Sequence, residues 1–324
     1  MPDPRPFGTT GRTVSAIGFG AWAIGGSWGR VDDAASRAAI ARALERGVAF
    51  FDTADVYGDG HSEELLRPLD PGLFIATKAG RRLPKQTVDG YTKEDLAAWI
   101  DRSRAKLGRQ TLDLLQLHCP PTDLYRTDAV FRILDGFVQD GRLSHYGVSV
   151  ETVEEATLAL RHPGVRSIQI IFNLLRQRPA EELFGLARRQ QVAIIARVPL
   201  ASGLLSGRIG RETAFPADDH RNFNRRGEAF DVGETFSGVP LEAGLAAVEE
   251  LRAIVPAGWT MSQFALRWIL MHDAVTTVIP GCRTAAQVDD NAAAAGLPPI
   301  SAGTMGRARE IYDRLVRPHV HARW

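Results

Sequence analysis

Short apolar runs recur along this chain of 324 residues, and amphipathic stretches separate them. The strand-like runs fall near residues 16–19, 48–52, 73–78, 112–118, 145–149, 167–171, 192–197 and 276–279. A strand buried on both faces reads as such a run. Strands alternating with helices predict a parallel sheet covered by helices. Eight of them predict an α/β fold of the (β/α)8 barrel type. Between the runs, residues 32–46 carry alanine and isoleucine at helical spacing. Thr92 precedes Lys93-Glu94-Asp95, a cap followed by acids at the end of a helix that favours them.

The length suits one barrel over residues 1–324, opened by a hairpin-like segment. A doubly wound sheet would place G-x-G-x-x-G straight before its first long helix. Here the early glycines Gly18, Gly20, Gly25 and Gly26 are interrupted by Trp22, Trp28 follows, and the helix starts only near Asp32. The loop therefore reads as a pocket wall, with Trp22 and Trp28 expected to shape a substrate pocket. Residues 203–238 break the rhythm after the seventh run, being polar and rich in glycine and arginine. A loop that long in a compact domain is usually functional or disordered. At a barrel mouth it predicts a lid or cofactor belt, with an extra helix beyond it.

Net charge is +1 and no long single-sign run occurs, which gives no support to nucleic-acid or anionic-membrane partners. The two cysteines, Cys119 and Cys282, have no metal spacing and suit a reducing compartment. No metal is expected. The first residues lack an apolar signal core, so the expected location is cytoplasmic, as a monomer or small homo-oligomer.

Polar residues punctuate the runs. Asp52 ends the second, Lys78 the third and His118 the fourth, while Tyr57 follows Asp52 in Asp52-Thr53-Ala54-Asp55-Val56-Tyr57-Gly58. Barrel strands deliver the residues at their C-terminal ends to one mouth. Tyrosine beside lysine there is a tuned proton donor. A phenol ordinarily titrates near 10, and a neighbouring ammonium favours its phenolate. Asp52 would hold Lys78, and His118 would donate a hydrogen bond to a substrate oxygen.

Together with Ala76-Thr77-Lys78, Leu115-Gln116-Leu117-His118 and Gly147-Val148-Ser149, that stretch resembles the aldo-keto reductase family over nearly the whole chain. The resemblance implies a barrel that binds NADP(H) across its mouth and reduces a small-molecule aldehyde or ketone, or runs in reverse. It implies catalysis by Asp52, Tyr57, Lys78 and His118. Ser149 and Gln169 are implied at the nicotinamide amide. Pro199, Leu200, Ser202, Gly203 and Leu204 would lie at the pyrophosphate, where glycine and hydroxyl groups suit close approach. Gly281, Arg283, Gln287 and Asn291 are implied at the adenosine phosphate and adenine. Arg283 supplies a cation for a 2′-phosphate. Thr284 to Gln287 also reads as a capping box, which would occupy Gln287 in its own helix.

Two positions depart from the pattern. Val150 stands where many members have asparagine. Arg197 stands where many have an aromatic ring stacked on nicotinamide. Arginine is planar and stacks, but it is cationic; alternatively Arg197 turns toward a phosphate or carboxylate. Two rival readings accompany the enzyme: a cofactor-binding regulatory subunit of the same fold with little catalysis, and a metal-dependent barrel hydrolase. The complete set of four residues weighs against the first. The want of several histidine and acidic ligands at strand ends weighs against the second.

Overall fold

The computed structural model describes residues 3–25 and 32–324; Trp28 lies outside them. Eight parallel strands pair in chain order. They are β1 (Phe19–Gly20), β2 (Phe50–Asp52), β3 (Phe74–Ala79), β4 (Leu112–His118), β5 (Leu143–Ser149), β6 (Val165–Ile171), β7 (Ala193–Arg197) and β8 (Val275–Val278). The two edges meet through parallel bridges from Ile17 to Val278 and from Gly20 to Gly281. Gly18 N donates to Val278 O at 2.8 Å, and Val278 N donates to Ala16 O at 2.9 Å. The sheet is thus closed into a barrel, which removes its edges. The run at 16–19 forms only a two-residue ladder because its pairing is divided. Ile17 faces the last strand, and Phe19 pairs with Phe51 of the second.

Helices fill the intervals as the caps predict. Asp32 accepts from Ala35 N ahead of helix Asp33–Glu45, and Thr92 accepts from Asp95 N ahead of helix Lys93–Leu107. Beyond the short helix His220–Phe223 in the long loop, two longer helices, Leu241–Arg252 and Met261–Leu270, separate β7 from β8, more than the repeat needs.

Strand periodicity sorts the side chains into two cores. Phe51, Ile75, Leu115 and Leu117 belong to the large cluster that also holds the helices' apolar faces. Phe50, Phe74, Leu114, Ala193 and Ile195 belong to a separate cluster inside the barrel. A hairpin of Pro4–Pro6 and Thr13–Ser15 delivers Phe7 to this inner cluster. The Phe7 ring lies 4.9 Å from Phe74 and 5.6 Å from Phe50, which plugs the N-terminal end. Positions of the same parity toward the other end are Asp52, Lys78, Gln116, His118 and Arg197. They pass from apolar to charged as the strands reach the mouth. No helix among the described residues is long and apolar enough to cross a membrane.

Candidate active site

Asp52, Lys78 and Tyr57 form one chain of contacts. Lys78 Nζ donates to Asp52 Oδ1 at 2.5 Å, to Thr53 O at 2.8 Å and to Tyr57 OH at 3.4 Å. Lys78 is almost fully buried. Burial alone would drive its ammonium toward the neutral form, yet Asp52 and Tyr57 carry its pKa above the ordinary value. A buried ion pair survives only when its remaining lone pairs are met. Here Gln116 Nε2 and Gln169 Nε2 donate to Asp52 Oδ2 at 3.1 and 2.7 Å, and Gln169 also donates to Gln116 Oε1 at 3.2 Å.

Tyr57 stands in a tightly packed turn. Gly58 adopts φ +61°, and a Cβ there would come within 2.1 Å of Gly25 O, so only glycine fits. Lys78 was expected to bring the phenol below its ordinary value. The net displacement is upward instead, because burial outweighs the lysine. Tyr57 is therefore held as the neutral phenol, a loaded acid.

His118 meets the Tyr57 ring edge-on, with centroids 6.0 Å apart. Burial, followed by Arg81, Lys78 and Arg197, pushes its imidazole well below the ordinary value. It is neutral at physiological pH and keeps one N–H to donate. Its Nδ1 is buried without a hydrogen-bond partner among the described residues. Trp22 also adjoins the phenol, stacked 6.1 Å from Tyr57, tilted 4.9 Å from the His220 ring, with Phe230 edge-on at 6.0 Å. His220 and Phe230 come from the long loop and carried no signal in the sequence beyond its polarity.

Four charged side chains sit beside this group. Arg197 reaches Glu151 at 2.8 Å and Glu234 at 3.0 Å; Arg81 reaches the same two carboxylates at 3.1 and 3.0 Å. Arg197 thus turns to carboxylates. Cys119 approaches the same carboxylates. Burial pushes its thiol up to about 12, and two guanidiniums already neutralise the acids, so this donor set is ill suited to a cation. Arg81, Glu151 and Glu234 escaped the sequence reading because each lies just beyond a strand or within the long loop.

The remaining expected positions are distributed as follows. Ser149 is buried at the end of β5, 3.6 Å from Cys119 Sγ. Gln169, implied at the nicotinamide amide, donates both its N–H groups inside the barrel, which leaves only its amide oxygen for a ligand. Ser202 was expected at a pyrophosphate. Its hydroxyl donates to Glu234 O at 3.0 Å and accepts from Phe236 N at 3.1 Å, tying down the long loop. Pro199, Leu200 and Gly203 lie in the turn after β7, and Leu204 points into the core, leaving only its backbone for a ligand. Gly281 is exposed after β8. Thr284 caps helix Ala285–Ala293, accepting from Gln287 N at 3.3 Å. Gln287 Oε1 accepts from Arg283 N at 2.7 Å, one residue earlier than a capping box requires. Buried Asn291 donates to Cys282 Sγ at 3.2 Å.

Residues 16–313 match the model of the Aldo/keto reductase family. Aldo-keto reductase YhdN of Bacillus subtilis is 26% identical over 290 residues, covering 86% of this chain and 85% of the relative. Aldo-keto reductase yakc [NADP(+)] of Schizosaccharomyces pombe is 24% identical over 313 residues, covering 93% and 89%. Among solved structures, the glycerol dehydrogenase AKR11B4 from Gluconobacter oxydans superposes with a TM-score of 0.78 at 27% identity, covering 97% of this chain and 96% of that one.

Proposed function

The chain belongs to the aldo/keto reductase family, and we propose that it reduces small aldehydes or ketones with NADP(H), Tyr57 serving as general acid. The observation that carries this reading is the unbroken contact chain Asp52–Lys78–Tyr57 beside a neutral His118.

The residues after β8 fit a phosphate-bearing cofactor by their chemistry. Helix Ala285–Ala293 begins here with the positive end of its dipole, exposed Gly281 admits close approach, and Arg283 immediately precedes the helix cap. Arg283 would hold the 2′-phosphate, and Asn291 and Gln287 would lie beside it. The relative yakc is named for NADP(+), which supports the same choice. When bound, NADPH supplies the hydride to the carbonyl carbon.

The protein's own residues supply the rest. His118 donates to the carbonyl oxygen and orients it. As negative charge grows there, Tyr57 gives up its proton to that oxygen. Lys78 stabilises the phenolate left behind, so the charge held off in the resting state is accepted during the reaction. Asp52, fixed by Gln116 and Gln169, keeps Lys78 charged and pointed at Tyr57.

A screen of aldehydes and ketones with NADPH tests the proposal, with alcohol formation measured alongside cofactor consumption. Turnover of at least one compound supports it. Tight NADPH binding with no turnover of any would favour the regulatory-subunit reading.

A further inference from the structure

The long loop places Glu234 where it touches both arginines of the mouth, and the contact is built from several sides. Segment 231–238 is fixed by Ser202, by Asn173 Nδ2 donating to Ser237 Oγ at 2.8 Å, and by Trp324 Nε1 donating to Asp231 Oδ1 at 3.0 Å. Trp324 packs so closely under Gly238 that a Cβ there would lie 2.5 Å from its ring. Glu234 and Arg197 side chains are each only 7% exposed. Arg197 is held by both terminal nitrogens: Nη1 reaches Glu234, while Nη2 donates to Glu151 Oε2 and to Val150 O at 3.0 Å. Its plane is fixed, and its inward parity matches that of Lys78 and His118. With all four ionised, the cluster sets the two positive charges of Arg81 and Arg197 against the two negative charges of Glu151 and Glu234.

We infer that this balanced cluster lets the mouth accept the oxidised nicotinamide as well as the reduced one, with Glu234 as the positioning and charge-balancing residue for Arg197. The inference rests on the reading of function above. A nicotinamide ring is cationic when oxidised and neutral when reduced. A lone guanidinium at the mouth would repel only the oxidised form. The two carboxylates cancel that repulsion, so both forms are accommodated. An aromatic residue at position 197 would need no such partners, which accounts for Glu151 and Glu234 accompanying the arginine.

The test is equilibrium binding of NADP+ and NADPH to the wild type, Glu234→Gln and Arg197→Met, read by protein fluorescence without substrate. Glu234→Gln leaves the cluster one charge positive. It should weaken NADP+ relative to NADPH by at least about tenfold, the effect of a unit charge about 12 Å from a cationic ring at an effective dielectric of about 20. Arg197→Met leaves it one charge negative and should shift the ratio the opposite way. A merely structural role would weaken both forms together, so equal losses in both variants overturn the inference while leaving the reading of function standing. If Glu234→Gln does not fold, the sign of the shift in Arg197→Met decides. Wild type that binds neither form overturns the functional reading and this inference with it.

Discussion

The phenol oxygen of Tyr57 lies 3.4 Å from Nζ of Lys78, and that ammonium is itself gripped by Asp52. The pair is asymmetric in the resting protein. Burial keeps the phenol protonated, while Asp52 and Tyr57 keep the lysine charged. The site is loaded for proton donation, and Lys78 acts only as the proton leaves.

Lys78 should therefore count only through Tyr57. Tyr57→Phe is expected to lower turnover by about 10²–10⁴-fold, the usual loss of a general acid. Lys78→Met should cost about as much, and the double variant little more, because residues acting as a unit are non-additive. Multiplying losses in a steady-state cycle of the four proteins would show that Lys78 acts elsewhere.

Gln169 discriminates between the implication of the resemblance and the geometry. Both its N–H groups point at Asp52 and Gln116. Gln169→Leu removes a donor to a buried carboxylate and should lower stability by about 1–3 kcal/mol. NADPH affinity should stay within about twofold, well under the tenfold that 1.4 kcal/mol represents. Denaturant unfolding and cofactor titration read the two quantities. Lost affinity at unchanged stability would return Gln169 to the cofactor.

Asp55 should give the fold a pH-dependent weakness behind the Tyr57 turn. Its carboxylate oxygens are buried with no hydrogen-bond partner among the described residues. Burial and Glu63 raise its pKa from 3.8 to about 7, against Arg82 and Arg102. Between those two values the folded protein keeps a proton that the unfolded chain has released. Stability thus falls as pH rises across that window. Asp55→Asn should flatten the fall and leave the variant the more stable protein at pH 7 and above. Parallel melting-temperature curves for the two proteins would contradict this.

Arg283→Ala should weaken NADPH binding by about tenfold to a hundredfold, the worth of a charge-assisted hydrogen bond. NADH binding should change little. Added salt should erode the wild-type preference for NADPH, since an exposed contact is screened. Equal weakening of both cofactors would assign Arg283 to the pyrophosphate or the fold.

The architecture was legible because buried parallel strands are apolar runs and helices announce their caps. Phe50–Asp52, Phe74–Lys78 and Leu114–His118 share a parity that turns their last residues into the mouth. Side-chain direction within the barrel was less legible. Gln116 looked like one more residue in an apolar run, and Gln169 turned inward to Asp52, because the demand of a buried carboxylate for donors shows only once the strands are paired. Glu234 was hidden for another reason. It lies 37 residues beyond Arg197 in an irregular loop, and no periodicity links the two. The net rise at Tyr57 also needed coordinates, since sequence names the lysine but not the depth of burial.

The role of Tyr57 as general acid is tested most directly by a single turnover. Enzyme is saturated with NADPH, mixed with an aldehyde taken from the screen, and followed by loss of reduced-cofactor absorbance and by alcohol formed. Wild type should convert its bound NADPH with one equivalent of alcohol. Tyr57→Phe should bind NADPH as tightly yet react slower by about two to four orders of magnitude, the loss of a general acid. Wild-type speed in Tyr57→Phe would contradict that role.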